Sequence, residues 1–282
     1  KKPACRWKNR YLQNIGLSYH IFDSSYEPRA EQTLNVLQPL CLLLLLFLHS
    51  PIFGQSAKEI IRKAEAQMRG KSSYSEFSMS VIKPAWQRTM VMKAWALEPE
   101  LALIYLQEPA RDKGTTTLKR RNEVWNWLPS VQKVIKIPPS MMLQSWMGSD
   151  FTNDDLVRAS SIVDDYSHIL IGEETYEGYE CHVVELIPKP EVGVVWGKVH
   201  MWITTKEFLE LKTEFYDEDG ALAKTFLGSK VTRFGDRRLP ARWEMIPADR
   251  PGNKTILEYT VLRFDLPLDG DFFSLQNMKR VH

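Results

Sequence analysis

Cysteine is scarce in this chain: three in 282 residues, of which Cys5 and Cys41 precede residue 55. With Cys181 alone beyond that point, no disulfide framework is available to the remainder. An excess of one charge sign is also missing. The formal net charge is +2, and no lysine or arginine run exceeds three residues. The electrostatic footprint of a nucleic-acid binder is therefore absent. Neither GxGxxG nor the P-loop occurs, nor paired CxxC, HExxH or GxSxG. The longest uninterrupted apolar run, Leu40–Leu48, has nine residues, well short of the ~20 a bilayer-spanning helix requires.

That run has the length of a signal-peptide h-region. Ser50 and Pro51 break it, Gly54 offers a small residue for cleavage, and a helix cap follows at Ser56. The expectation is an upstream extension over residues 1–33, a signal peptide over 34–54 and a single domain over 55–282. Cys41 does not suit lipoprotein-type acylation, because Leu40 stands before it and the apolar run follows it. Six of the 37 basic and three of the 35 acidic residues fall before residue 55, so the remainder is near neutral. A soluble exported monomer is predicted.

Residues 56–69, "SAKEIIRKAEAQMR", carry the helical period, with Ala57, Ile60, Ile61, Ala64 and Met68 on one face. Ser56 and Glu59 are spaced as a capping box, and Gly70 suits the helix end. From Tyr74 the period becomes two. Phe77, Met79 and Val81 alternate with serines, and Met90, Met92, Ala94 and Ala96 oppose Val91, Lys93, Trp95 and Leu97. Short strands with turn signals continue to "KTILEYTVLRF", an all-β pattern. Glu177-Gly178, Asp219-Gly220 and Gly235-Asp236 read as hairpin turns, with Asp219-Gly220 as type I′. Only residues 138–160 interrupt the pattern, so a doubly wound parallel fold is excluded. This stretch reads as a helix Met141–Met147 capped by Ser140, a stop at Gly148, and a second helix Asp154–Arg158 capped by Thr152 or Asn153.

Three elements, "VWNWLPSVQKVIKIP", "MGSDFTNDDL" and "RFDLPLDGDFFSL", are similar to the outer-membrane lipoprotein-sorting protein family, relatives of the periplasmic carriers LolA and LolB. The most specific part is Met147, Gly148, Ser149, Asp150 and Phe151, followed by Asp155 and Leu156. The resemblance covers roughly residues 56–280. It implies a mainly β fold: a curved antiparallel sheet forming an incomplete barrel, with an N-terminal helix and a short helical lid over an apolar cavity for acyl chains. It also implies a periplasmic location, an inner-membrane exporter and an outer-membrane acceptor as partners, and no cofactor. In one place the chain departs from the carriers. They set an arginine beside a proline at the end of an early strand, where this sequence reads Leu97-Glu98-Pro99.

The residues support a hollow on other grounds. Eight of nine tryptophans and all ten methionines lie beyond residue 55. Methionine adapts to variable ligands, and tryptophan supplies area with few rotatable bonds. Met90, Met92 and Ala94 on one strand, and Val199, Met201 and Ile203 on another, form candidate inward faces. Met141, Met142 and Trp146 belong to the expected lid, which could equally be an ordinary core helix.

The aspartates of "SWMGSDFTNDDL" do not suit calcium, since Asp155 stands where a loop glycine is needed. They read as structural, with Asp150 binding turn amides and Phe151 stapling the second helix to the sheet. His168, His182 and His200 show no zinc spacing, and no nucleophile is paired with a base. The function expected is a carrier of lipoprotein or lipid acyl chains, not an enzyme. A lipid-sensing envelope regulator and an acyl-ester hydrolase are the alternatives.

Overall fold

The computed structural model describes residues 56–158, 162–190, 192 and 196–282. The expected extension and signal peptide lie outside the described residues. Helix α1 (Ala57–Arg69) opens the domain. Ser56 Oγ accepts the Glu59 amide at 3.2 Å. The reciprocal half of the capping box does not form, because Glu59 turns its carboxylate to Arg62, at 2.6 and 2.8 Å.

Thirteen strands follow. They are β1 (Ser72–Lys83), β2 (Trp86–Leu97), β3 (Leu101–Glu108), β4 (Thr116–Arg120), β5 (Glu123–Leu128), β6 (Lys133–Lys136) and β7 (Tyr166–Tyr176). Then come β8 (Tyr179–Pro188), β9 (Lys198–Thr204), β10 (Glu210–Tyr216), β11 (Leu222–Phe234), β12 (Arg237–Pro247) and β13 (Lys254–Phe264). All pair antiparallel in one curved, unclosed sheet of order β6-β5-β4-β3-β2-β1-β13-β12-β11-β10-β9-β8-β7. Two meanders, β1–β6 and β7–β13, thus meet at a β1–β13 seam. Register shifts at Glu76/Phe77, Val91/Met92 and Leu170/Gly172 place bulges that bend the strands.

The turns differ in type from the expectation. Glu177 and Gly178 both have positive φ, 50° and 80°, as a type I′ turn demands. At Asp219-Gly220 only Gly220 does. That loop is longer: the Gly220 amide bonds the Asp217 carbonyl, and the Asp217 amide bonds that of Ala221.

Because β6 and β7 are opposite edges, the chain between them must cross the sheet. This is why residues 138–158 and 162–165 lie over its concave face. The predicted helix Met141–Met147 does not form. Two turns of 3-10 helix, Pro139–Met141 and Trp146–Gly148, stand in its place. Pro138, not Ser140, precedes the first of them. The carbonyls an α-helix would use are taken by the returning chain. The Asp154 amide bonds Met142 at 2.8 Å, the Asn153 amide bonds Gln144 at 3.1 Å, and the Asn153 side chain reaches Met141. Helix α2 (Asn153–Arg158) follows as expected. Thr152 Oγ1 accepts the Asp155 amide while Asp155 accepts that of Thr152, a complete capping box.

Two apolar clusters fill most of the concave side. Ile60, Ile61 and Ala64 of α1 pack on Val184, Leu186, Val199, Met201 and Ile203. Trp146 packs on Phe77, Met79, Met90, Met92 and Leu106. On the convex side, Trp95 and Leu97 are covered by the C-terminal segment through Phe273 and Met278.

Candidate functional site

Two aspartates tie the crossing segment to three strands of the sheet. Asp150 takes the Lys83 ammonium of β1 at 2.5 Å and the Thr255 hydroxyl of β13 at 2.8 Å. The Asp150 amide also donates to Thr255 Oγ1, at 2.9 Å. Asp155 takes Lys224 of β11, with both distances 2.9 Å. The aspartates are structural, as read, but Asp150 works through an ion pair with the sheet rather than through turn amides. Ser149 Oγ donates to the Trp146 carbonyl, Gly148 has φ 76°, and Met147 packs beside Trp146. Phe151 meets Phe226 edge-on at 5.8 Å.

Between α1 and the crossing segment lies a cavity of about 460 Å³, within the ~300–1,000 Å³ usual for small-molecule sites. Of the residues singled out in the sequence, Ala94, Trp146, Val199 and Met201 line it, as do Phe151, Asp155 and Leu156. Met90, Met92 and Ile203 lie on the same faces but are fully buried beneath the wall. Met141 is exposed and Met142 half-buried, and neither reaches the cavity. Sequence reasoning missed the aromatic and aliphatic wall from Phe215, Phe226, Trp243, Leu257 and Tyr259.

It also missed a polar wall. Glu65 and Arg69 of α1, Glu98 after β2, and Glu210 and Thr213 of β10 all face the cavity. The Arg69 guanidinium lies 2.8 Å from Glu65 and 3.3 Å from Glu98. An arginine therefore does meet the Leu97-Glu98-Pro99 corner, but α1 supplies it. Thr213 Oγ1 donates to Glu210 at 2.5 Å. Burial pushes the Glu65 carboxyl up to about 7 against the pull of Arg69, and burial also raises Glu210. Burial acts to lower Arg69, but Glu65 and Glu98 outweigh it and the net shift is upward. One signal was present in the sequence. Ile61, Glu65 and Arg69 stand at i, i+4 and i+8, so both charges continue an apolar stripe.

Catalytic chemistry finds little support here. Burial pushes the Cys181 thiol up to about 11, which keeps it protonated. His200 bonds Glu185 at 2.9 Å and does not line the cavity. Among the described residues no three histidine, cysteine, aspartate or glutamate side chains are grouped to hold a metal. A second hollow of about 680 Å³ lies beside the Gly235-Asp236 turn, but its charged residues Arg233, Asp236 and Arg263 are exposed.

A family model described as an uncharacterized protein family matches residues 98–280. The chain belongs to this family. Its fold is LolA-like, as three crystal structures show. A DUF1329 family protein from Desulfovibrio piger has a TM-score of 0.72 at 24% identity, covering 79% of this chain and 97% of its own. A Vibrio parahaemolyticus domain described as an outer membrane lipoprotein-sorting protein has a TM-score of 0.70 at 25% identity, covering 79% and 98%. A LolA superfamily protein from Nitrosomonas europaea gives 0.66 at 23% identity, covering 78% and 98%. No curated protein matches the sequence. The resemblance carried by Met147–Phe151, Asp155 and Leu156 thus agrees with a shared LolA-like half-barrel, and these residues are what pins the crossing chain to it.

Proposed function

We propose that the protein is a carrier that binds the acyl chains of a lipoprotein or lipid in its concave cavity and shields them from water during transfer through the periplasm. The observation that carries this reading is the cavity itself: about 460 Å³, walled mainly by aromatic and aliphatic side chains, inside a sheet that does not close. The likeness to a domain described as lipoprotein-sorting supports it. Each buried methylene contributes about 0.8 kcal/mol. A 16-carbon chain thus gives on the order of 10 kcal/mol before binding entropy is subtracted. An inner-membrane exporter and an outer-membrane acceptor belong to the same reading, as does a binding rather than a catalytic role.

Native mass spectrometry of protein purified from its own envelope tests this. A co-purifying acylated mass, lost in a variant with a filled cavity, is the expected result. Protein that carries none, and that fails to bind a fluorescent acyl probe added in vitro, would sink it.

A further inference from the structure

The cavity is not uniformly apolar, and its polar wall is unbalanced. Five carboxylates line it, Glu65, Glu98, Glu210, Asp154 and Asp155; Asp155 is paired with Lys224, and the one lining guanidinium, Arg69, is already committed to Glu65 and Glu98. Two lysines stand behind the wall without lining it: Lys224 is held by Asp155, and Lys119 donates to the Pro99 carbonyl at 3.1 Å and interacts electrostatically with Glu98. The half-buried Tyr259 ring lines the same cavity within electrostatic range of Arg69, and its hydroxyl makes no hydrogen bond among the described residues. An excess of buried carboxylate is costly unless a donor or a cation meets it.

We propose that this wall receives the head of an amphiphile that donates hydrogen bonds, an ammonium or a hydroxyl, and that it rejects carboxylate and phosphate heads. Rejection follows from charge: an anionic head would add to the carboxylate excess in a space with little water to screen it. A donor head satisfies Glu210, whose Oε1 already accepts Thr213, and can donate to the Tyr259 hydroxyl oxygen; a hydroxyl head can also accept from it. Burial raises the carboxyls of Glu65 and Glu210, and at Glu65 the neighbouring Glu210 and Glu98 add to it. An ammonium therefore competes with protons and binds better as pH rises through 7. The proposal rests on the carrier reading and narrows its cargo.

Displacement of a neutral, uncharged pyrene-alkane probe from the full chain tests it. The competitors are hexadecylamine and hexadecanoate at pH 8, below their micellar concentrations. The amine is expected to win by about tenfold or more. Glu210→Gln and Glu65→Gln, each checked for fold by circular dichroism, should shrink the amine-to-carboxylate ratio several-fold. Equal or stronger binding of the carboxylate overturns the proposal, as does an advantage that survives both substitutions. If the probe itself does not bind, the carrier reading falls together with it. If the probe binds and no head is preferred, this inference alone falls.

Discussion

Lys83 Nζ lies 2.5 Å from Asp150 Oδ1, and the Asp150 side chain is only 1% exposed. The pair joins the family-like element to the end of β1, with Thr255 of β13 closing a third side. Removing one partner strands the other in a poorly solvated place. Asp150→Asn is expected to cost about 3 kcal/mol, read as a fall in the urea midpoint with unchanged m-value. Added calcium should leave the wild-type midpoint where it is. Stabilisation that grows with calcium concentration would instead show a bound metal.

Trp146 is the plug of the cavity end. It is 4% exposed, packs on Met90 and Met92, and its indole donates to Thr117 at 3.3 Å. Trp146→Ala should lose about 3–5 kcal/mol. Because the removed volume adjoins the cavity, a long-chain ligand bound there should restore part of that loss in a thermal melt. A melt identical with and without ligand would separate the plug from the binding site.

Ala94 lines the cavity beside its cross-strand neighbours Ser75 and Ile104. Ala94→Phe fills space without creating a charge. Acyl-probe affinity should drop by about tenfold or more, while the melting temperature moves by only a few degrees. Lys93→Gln, on the other face of β2, serves as the control and should bind normally. Undiminished binding by Ala94→Phe would place the acyl chain elsewhere.

The Glu65 carboxyl is raised to about 7, so it holds its proton more tightly folded than unfolded. Such a group favours the fold below its ordinary value near 4.5, and that contribution is lost as pH rises through about 7. Arg69 opposes the upward shift, whereas Glu210 and Glu98 add to it. At ~1.4 kcal/mol per pKa unit the loss is at most on the order of 3 kcal/mol. Stability measured from pH 5 to 8 should therefore fall less steeply in Glu65→Gln than in the parent. Parallel curves would rule out Glu65 as the titrating group.

Local patterns carried most of the fold into the sequence. Period-two alternation marked the strands, Ser56 marked the start of α1, and Thr152 or Asn153 as cap marked that of α2. Partners distant along the chain were not legible. Nothing near Asp150 points to Lys83 or Thr255, and nothing near Asp155 points to Lys224. The lid was misread because Met141–Met147 has helical composition, whereas its carbonyls are claimed by Asn153 and Asp154 from outside the segment. Of the expected inward faces, Ala94, Val199 and Met201 line the cavity, but depth was not visible: Met92, two residues from Ala94, is sealed beneath Trp146. The polar wall was hidden because Glu65 and Arg69 resemble an ordinary solvent-facing i,i+4 pair.

The β1–β13 seam has a kinetic consequence. Within each meander every strand pairs with its sequence neighbour, so those hairpins close short loops at small entropic cost. The seam instead joins Ser73 to Phe264 and Ile82 to Lys254, across nearly the whole domain. Its contacts can reward the chain only after both halves exist, which makes it the late, slow step of assembly. Two fragments divided within residues 138–165 would each retain an intact meander, and their joining would become a bimolecular reaction whose rate rises with concentration.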